Sequence, residues 1–399
     1  MKKENNSYTD IDELHKIQLK LLKRLDYICS KHNITYYLNG GTLLGAVRNG
    51  DFIPWDDDVD VSMFREEFDK FVLAMEKEKD ERYFFQKPNG TEEICLWGFA
   101  RIRDNNTTQA WAYELAEGPE NTSYGIWIDI QIFDNVYKNS LKRRIQLFHL
   151  RYWQKIKLAK SYLKKYDRFW CLNKIKWSFY KRRAKKYTTN YIDKKILFYS
   201  KNCKEDELVA SLALHKKIRE TKCIKKDCFK EGERISFNNL KLNVPKKYNE
   251  VLTKLYGKDY MIPPLEKNSG HGDLIIDTNR SFKRYINYYR KENWKKNCEN
   301  KIIIIFGSGQ QAEYFICNEE KKYMPKYIVD NNKEKWDKSL KGIEIKNPEI
   351  LNKMDKNKIR VIIANIYWEQ ISLQLEQMGV YDYYSYINEN AWKMNGGQK

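Results

Sequence analysis

The chain has 399 residues, of which 42% are hydrophobic and 14% aromatic, so it carries enough apolar material for at least two buried cores. Mean hydropathy is −0.78 and long apolar runs are missing, which argues against a transmembrane helix. The formal net charge of +20 is concentrated, because residues 138–186 contain 18 Lys or Arg and one acid. The rest of the chain is close to neutral, which argues against a general polyanion-binding surface.

The N-terminal residues 1–6 are polar and contain no apolar segment of the kind that a secretory signal needs. We therefore expect no signal peptide and a cytosolic site of action. The eight cysteines include no Cys-x-x-Cys pair, which favours reduced and packed thiols. A zinc site at Cys223 and Cys228, with Cys203 or His215, is less favoured because the spacing is irregular.

A helix, a short strand and a glycine-rich turn come first along the chain. Apolar residues recur at helical spacing after Asp10, which predicts a helix to about residue 31. Residues 34–38 read as a short strand, and another helix is expected from residue 43. Small residues between them let backbone N–H groups approach a phosphate. The candidate phosphate-binding residues are Gly40, Gly41 and Thr42.

Acidic residues at alternate positions follow this turn. Side chains alternate between the two faces of a strand, so Asp58 and Asp60 are expected to point the same way. A second strand, over residues 125–132, places its isoleucines on one face and Asp129 on the other. The alternation predicts a half-buried strand with Asp129 as a lone acid on its open face.

Together, the glycine turn and the three carboxylates indicate a site for a metal ion and a nucleotide. Carboxylate oxygens are suitable ligands for Mg²⁺ or Mn²⁺, and the metal neutralises phosphate charge and orients an attacking oxygen. The alternative is a surface loop with a solvated acidic cluster. Pro54, Trp55 and the alternate valines favour the metal site, because they bury the other face of the acidic segment.

The basic residues 138–190 read as helical, with aromatic and aliphatic residues among the cations. Three uses fit this composition: binding of nucleic-acid phosphates, contact with an anionic membrane surface, and a solvated helical face over an ordinary core.

A polar segment at residues 291–300 precedes a different C-terminal pattern. Continuous apolar runs that begin at residues 301, 327 and 361 are typical of strands buried on both faces of a parallel sheet. The first run is followed by a glycine-rich loop that fits the pattern GxGxxG/A. The second run ends in an acid about 20 residues further on. We expect this module to bind a nucleotide or sugar nucleotide, or only to pack or dimerise. The residues concerned are Gly307, Gly309 and Asp330.

Longer motifs around the acidic residues resemble the LicD family. They read NGGTLLGAVR at residues 39–48, FIPWDDDVDV at 52–61 and GIWIDI at 125–130. A later series is similar to the same family: VPKKY at 244–248, LYG at 255–257, Pro263-Pro264 and His271. This family includes bacterial phosphocholine transferases and is related to the fukutin proteins. The resemblance covers residues 10–275.

The resemblance implies a nucleotidyltransferase-like fold that uses Mg²⁺. It also implies transfer of a phospho-alcohol from a CDP-linked donor to a glycan hydroxyl, with release of CMP. CDP-choline is the first-ranked donor, and ribitol-phosphate or glycerol-phosphate transfer is the alternative. A lipid-linked glycan acceptor favours membrane contact for residues 138–190, at the inner face of the cytoplasmic membrane, and makes nucleic acid the least favoured partner.

Carried onto this chain, the resemblance makes Asp58, Asp60 and Asp129 the metal ligands, with Asp129 as the candidate base for the acceptor hydroxyl. Trp55 is a candidate to stack on a base or choline, and His271 to contact phosphate; packing and loop capping are the alternatives. Candidates for phosphate clamps, or else for surface salt bridges, are Arg48, Arg101 and Arg103.

One position departs from the family pattern. The family carries an arginine between the double proline and the histidine, where this chain has Lys267. A lysine is a point charge and lacks the bidentate fork of arginine, so no role is assigned to it.

We therefore expect an α/β protein with two domains. Residues 1–295 form an α+β nucleotidyltransferase-like catalytic domain with the basic helical segment 138–190, and residues 300–399 form a small Rossmann-like α/β domain. Two further functions stay as alternatives: a nucleotidyltransferase acting on RNA or a small molecule, and a non-catalytic scaffold. The three intact carboxylates argue against the scaffold.

Overall fold

The computed structural model describes residues 11–88, 98–160, 174–212, 223–264, 274–290, 293–296, 298, 300–319 and 321–388. The chain divides into two compact units, Met1–Phe282 and Lys283–Lys399. The division comes earlier than the expected boundary near residues 291–300, so residues 283–295 fall in the second unit.

The first unit contains helices and strands in alternation. Its helices are α1 (Ile11–Lys31), α2 (Gly40–Asn49), α3 (Arg65–Lys77), α4 (Ala112–Glu117), α5 (Ser140–Lys160), α6 (Lys174–Lys186), α7 (Thr189–Lys201) and α8 (Tyr248–Tyr256). Its strands are β1 (Tyr37–Leu38), β2 (Asp60–Phe64), β3 (Tyr83–Gln86), β4 (Ala100–Asp104), β5 (Thr108–Ala110), β6 (Ile126–Val136), β7 (Leu208–Ser211), β8 (Ile224–Lys225), β9 (Gly232–Phe237), β10 (Leu240–Pro245) and β11 (Ile275–Asp277).

A mixed sheet in the order β1-β2-β6-β4-β3 forms the centre of this unit. The long strand β6 pairs in parallel with β2 and antiparallel with β4, and its far end pairs with β7. Register places Asp60 and Arg101 opposite Asp129 from its two sides. The centre of the sheet thus brings together charged residues from three strands.

Several predicted elements are confirmed. The helix expected to reach residue 31 is α1, and its periodic apolar face, including Leu21 and Leu25, is fully buried in the main core. Strands β9 and β10 pair antiparallel and form a hairpin. Helix α8 ends at Tyr256, and Gly257 follows with φ of 98°, a conformation that favours glycine.

The prediction that one face of β6 is open to solvent is wrong. Trp127 and Asp129 are buried, as are the isoleucines on the opposite face. Trp111 lies 6.4 Å from Trp127 between ring centroids, and the Arg101 guanidinium lies 4.2 Å from the Trp127 ring. The strand is therefore covered on both faces, and its acid belongs to an interior site.

The basic segment forms α5 and α6 over its described residues, followed by α7; residues 161–173 lie outside them. These helices have a core of their own, in which Leu150, Ile156 and Ile192 are buried. In the part of the chain that the structure describes, no helix is both long and apolar enough to cross a bilayer.

The second unit is a smaller α/β module. Its helices are α9 (Phe282–Tyr289), α10 (Gln310–Asn318) and α11 (Trp368–Gln377). Its strands are β12 (Ile302–Phe306), β13 (Tyr327–Val329), β14 (Ser339–Leu340), β15 (Ile343–Lys346), β16 (Ile359–Ile363) and β17 (Tyr383–Ser385).

These strands form one sheet in the order β14-β15-β13-β12-β16-β17. Apart from the antiparallel β14, neighbouring strands are parallel. Numbered along the chain without β14, the order is 3-2-1-4-5, the arrangement of a doubly wound sheet. The predicted α/β class is confirmed, and the predicted buried strands are β12, β13 and β16.

Candidate active site

Four carboxylates converge where β2 begins beside β6. Asp60 is the first residue of β2 and lies opposite Asp129 in the parallel pair, while Asp58 and Asp56 precede the strand. Burial, and then the charges of Asp60, Asp56 and Asp129, raise the pKa of Asp58 to about 10. Like charges packed this closely are the environment that a bound cation would relieve.

The acidic segment contributes more side chains than the alternation rule selected. Carboxylate oxygens of Asp56, Asp57 and Asp58 lie within 4.8 Å of one another. Three oxygens at this spacing could bind one metal ion. Asp57 is buried, and its backbone oxygen accepts a 2.9 Å hydrogen bond from Gln18 Nε2. Sequence reasoning missed Asp56, although its two-residue spacing from Asp58 repeats that of Asp58 from Asp60.

The glycine turn is the first turn of α2, which begins at Gly40 and not at residue 43. Gly40 has φ of 55°, and a Cβ placed on it would lie 3.0 Å from Asp60 Oδ2. A Cβ on Gly41 would lie 2.4 Å from Asp56 Oδ2. The glycines thus allow two carboxylates to reach the helix N-terminus, where the macrodipole favours negative charge.

Asp60 is held in place by polar neighbours on three elements. Its backbone N–H donates a 2.9 Å hydrogen bond to Thr42 Oγ1 in α2. Its Oδ1 accepts a 3.2 Å hydrogen bond from Gln131 Nε2 in β6. The Gln131 side-chain oxygen in turn accepts from Ser211 Oγ in β7. Such outer partners restrict the orientation of a ligand carboxylate.

Arg101 and Asp129 form a buried ion pair. Arg101 Nε lies 2.7 Å from Asp129 Oδ1, and both side chains are at most 7% exposed. The guanidinium stacks over the Trp127 ring, which fixes its plane. The structure therefore places Arg101 at the candidate site, where it orients a carboxylate.

Arg103 lies two residues further along β4 and has other partners. It donates hydrogen bonds to Gln86 Oε1 at 3.1 Å and to the Gly125 backbone oxygen at 3.0 Å. Its guanidinium also stacks on Trp127, at 4.8 Å. Burial raises the pKa of the neighbouring Glu114, while Arg103 and Arg101 lower it. These contacts hold Arg103 within the protein interior.

The Tyr256 phenol lies within electrostatic reach of the acidic cluster and of Arg48. Burial, and then the charges of Asp60, Asp56 and Asp58, raise the pKa of the Tyr256 phenol, whereas Arg48 lowers it. Sequence reasoning did not select Tyr256. Its only signal was the LYG motif at the end of α8, which brings this side chain to the carboxylates.

The remaining predicted residues are placed as follows. Trp55 is half-buried and packs against the main core of the first unit, and His271 lies outside the described residues. In the second unit, Ser308 N and Oγ donate to the Asp330 carboxylate, the first at 2.9 Å. Gly307 has φ of 103°, and a Cβ on Gly309 would meet no atom within 4 Å. Asp330 and the glycine loop thus lie together.

The chemistry of the acidic cluster matches a hard divalent cation. Carboxylate oxygens are the ligands that Mg²⁺ and Mn²⁺ prefer in proteins, and the cluster supplies several from one short segment and one adjacent strand. The residues present therefore fit such an ion, and the neighbouring helix N-terminus suits an anionic phosphate beside it.

Comparison with known proteins identifies a family and relatives that this chain resembles. Residues 33–130, which contain these carboxylates, match the family model described as LicD/FKTN/FKRP, nucleotidyltransferase domain. The chain is 30% identical to the lipopolysaccharide cholinephosphotransferase LicD of Haemophilus influenzae over 283 residues. That alignment covers 65% of this chain and 95% of the relative.

Shorter stretches are similar to other proteins. An uncharacterized protein of Rickettsia typhi is 44% identical over 76 residues, which is 19% of this chain and 24% of that protein. The human protein named ribitol 5-phosphate transferase FKRP is 56% identical over 34 residues, 8% of this chain and 7% of its own. Because the Haemophilus relative is matched over almost its whole length, the chain belongs to the LicD family.

Proposed function

We propose that this protein is a phosphotransferase that moves a phospho-alcohol from a CDP-linked donor to a hydroxyl of a cell-surface glycan or its lipid-linked precursor. The observation that carries the proposal is the group of four carboxylates at the junction of β2, β6 and α2, within the region that matches the family model. A relative named as a lipopolysaccharide cholinephosphotransferase, matched over 95% of its length, supports this reaction class.

Mg²⁺ or Mn²⁺ is the proposed cofactor, held by Asp58, Asp60 and Asp129 with Asp56 beside them. When bound, the ion would neutralise charge on the donor pyrophosphate and make it a better electrophile. The glycine residues at the start of α2 allow Asp60 and Asp56 to lie close to the helix N-terminus. Arg48 is the candidate partner for phosphate oxygens, since it acts on the same tyrosine as the cluster and carries a fixed positive charge.

The transfer itself is a substitution at phosphorus. An acceptor hydroxyl oxygen bonds to the phosphorus that carries the alcohol, the bond to the bridging oxygen breaks, and CMP leaves with the electron pair. Asp129 is the candidate to take the hydroxyl proton. Arg101 is the positioning residue for this step, because its hydrogen bond to Oδ1 fixes the orientation of the carboxylate.

Phosphocholine is the first-ranked group, since the relative that is matched over the greater length is named for it. Ribitol-phosphate or glycerol-phosphate is the second candidate, favoured by the 56% identity to the human ribitol 5-phosphate transferase over 34 residues. A nucleotidyltransferase would release pyrophosphate, whereas the proposed reaction releases CMP. The cytoplasmic side of the membrane, with peripheral contact through the basic segment, is the proposed location.

The experiment is an assay of CMP release. Purified full-length protein is incubated with Mg²⁺ and a glycan acceptor, lipid-linked or free, in the presence of CDP-choline, CDP-ribitol or CDP-glycerol in parallel. CMP is expected from one of these donors, with CDP-choline first. Failure of every donor, release of pyrophosphate from CTP, or full activity of both Asp58→Asn and Asp60→Asn would rule the proposal out.

A further inference from the structure

An exposed apolar stripe runs along α5. Leu141, Ile145 and Phe148 follow one another at intervals of four and three residues, so they lie on one face of the helix. Their exposed fractions are 65%, 51% and 63%. Single exposed apolar residues are ordinary, but a row of three on one helix face is a candidate interaction surface.

Aromatic rings connect this stripe to α7. Phe148 contacts His149 at 5.7 Å between centroids, His149 stacks on Tyr199 at 4.8 Å, and Tyr199 contacts Phe198 at 5.1 Å. Phe198 is 56% exposed. The four rings therefore join the two helices into one surface, here called the α5/α7 surface and defined by Leu141, Ile145, Phe148 and Phe198.

The helices already have a separate core, so this surface is additional to it. Leu147, Leu150 and Ile156 of α5 are buried together with Ile192 and Ile196 of α7. These residues lie on a different face of each helix, and they pack α5 against α7. The exposed stripe contributes nothing to this core, and its apolar character calls for a different explanation.

Positive charge surrounds the stripe. Lys142 and Arg144 are exposed on α5, which contains no acid, and Lys194 is exposed on α7. The acid of α7, Asp193, is buried and lies 2.8 Å from Lys157 Nζ. The surface therefore combines apolar side chains with cations that are available to solvent.

Acidic residues near the ends of the two helices are in contact with lysines. Asp69 lies 3.0 Å from Lys201 Nζ, and Glu207 lies 2.7 Å from Lys138 Nζ. These contacts offset negative charge beside the α5/α7 surface, and the exposed charged residues of α5 and α7 themselves are cations.

We infer that the α5/α7 surface docks on an anionic phospholipid bilayer. Apolar side chains flanked by lysine and arginine match an interface that offers hydrocarbon below negatively charged headgroups. A nucleic acid offers charge without hydrocarbon, and a second copy would bring two cationic helices together. Docking through these residues specifies the peripheral contact proposed above for the basic segment, and it is independent of the proposed chemistry of the carboxylates.

Vesicle flotation of the full-length chain tests the inference. Wild-type protein is mixed with vesicles of phosphatidylcholine alone or with added phosphatidylglycerol. Binding is expected to the anionic vesicles and to fall as salt is raised. The variant with Ile145→Ser, Phe148→Ser and Phe198→Ser is expected to bind anionic vesicles at least about tenfold more weakly than wild type. Each change removes apolar carbons that would enter the bilayer.

A matched variant carries Leu73→Ser, Ile366→Ser and Tyr381→Ser, which replace three exposed apolar residues outside the α5/α7 surface. It is expected to float like wild type, and thermal melts check that both variants fold. Equal flotation of the α5/α7 variant and wild type would overturn the inference. So would a wild-type dimer that the α5/α7 variant converts to monomer, or binding of wild type to RNA but not to vesicles.

A second pair of substitutions separates charge from apolar contact. Lys142→Glu with Arg144→Glu is expected to abolish the preference for anionic vesicles, and an unchanged preference would contradict the inference. CMP release from a donor and a soluble acceptor is measured on the same proteins and is expected to stay at the wild-type level. Flotation without CMP release would refute the proposed reaction alone, and CMP release without flotation would refute the docking alone.

Discussion

Arg101 Nε donates a 2.7 Å hydrogen bond to Asp129 Oδ1 between two strands of the central sheet, and both side chains are buried. A buried carboxylate that loses its cationic partner is unstable in place, because nothing offsets the cost of removing its charge from water. The pair therefore sets where Asp129 points, although Arg101 was selected from the sequence as a candidate phosphate clamp.

Replacement of Arg101 tests this positioning role. Arg101→Gln is expected to lower kcat about a hundredfold with little change in KM, since a misaligned base affects the chemical step more than substrate binding. Arg101→Lys restores the charge without the planar fork and is expected to recover part of kcat. Steady-state kinetics with the CDP donor give both constants. A rise in KM at unchanged kcat would instead support a phosphate clamp.

Removal of one carboxylate is expected to have opposite effects on activity and stability. Asp58→Asn lowers Mg²⁺-dependent activity about a thousandfold, equivalent to about 4 kcal/mol in the barrier. In EDTA the same variant is expected to melt at a higher temperature than wild type, because the amide avoids the cost of burying a carboxylate and of placing it beside Asp60, Asp56 and Asp129. Thermal melts with and without Mg²⁺ measure this. A lower melting temperature in EDTA would contradict the crowding of charges.

Two glycines of α2 are expected to respond differently to the addition of a methyl group. The Cβ of Gly41→Ala would meet the end of the flexible Asp56 side chain, which can move away. Stability should stay near wild type while metal-dependent activity falls. The Cβ of Gly45→Ala would lie 2.6 Å from the Asp51 backbone oxygen, which cannot move freely, so a loss of about 1–3 kcal/mol is expected.

Urea unfolding and CMP release, measured on both glycine variants, separate these effects. Gly309→Ala in the second unit serves as the control, because its Cβ would have no neighbour within 4 Å. Equal destabilisation by Gly41→Ala and Gly45→Ala would show that Asp56 is held rigidly.

The Arg65–Asp134 pair predicts a pH-dependent stability. Arg65 Nε donates at 2.8 Å to Asp134 Oδ1, and the Asp134 side chain is 3% exposed. Burial raises the pKa of Asp134, and Arg65 opposes that rise. Arg65→Ala at neutral pH should therefore cost about 3–5 kcal/mol, because it leaves a buried charge without its partner.

The sign of the pH effect follows from the raised pKa. Between the unfolded and folded pKa values the native state binds more protons than the unfolded chain, so stability falls as pH rises. Without Arg65 the folded pKa of Asp134 rises further, so this pH range widens. The difference in free energy of unfolding between Arg65→Ala and wild type should therefore shrink as pH is lowered toward 4. Urea unfolding at several pH values measures this difference in the free energy of unfolding, with Lys246→Ala, which breaks an exposed pair with Glu231, as control. A pH-independent difference would contradict the argument.

Local patterns predicted much of the fold from the sequence. Local patterns identified α1, the helices of the basic segment and the buried strands of the second unit. These features depend on residues close together in the chain. The alternation in β6 was read correctly, but the burial of its second face was not, since the residues that cover Trp127 come from other elements.

The candidate site shows the same division. Asp58, Asp60 and Asp129 were selected from spacing, and register brings Asp60 opposite Asp129. Tyr256 could not be selected in this way, because it is separated from Asp58 and Asp60 by almost two hundred residues and reaches them only through the packing of α8. The hydrogen bonds of Arg103 likewise depend on Gln86 of the neighbouring strand and on the Gly125 backbone oxygen.

The length of β6 separates the carboxylate site from the helices that carry the α5/α7 surface. Asp129 lies near the start of this strand, and α5 begins beyond its end, about 20 Å further along at the rise of an extended chain. The residues of β6 beyond Asp129 are paired with β2 and β4 at first and then with β7. With the docking inferred above, exchange of the helices after β6 would change membrane attachment while the paired strands kept Asp129 in place.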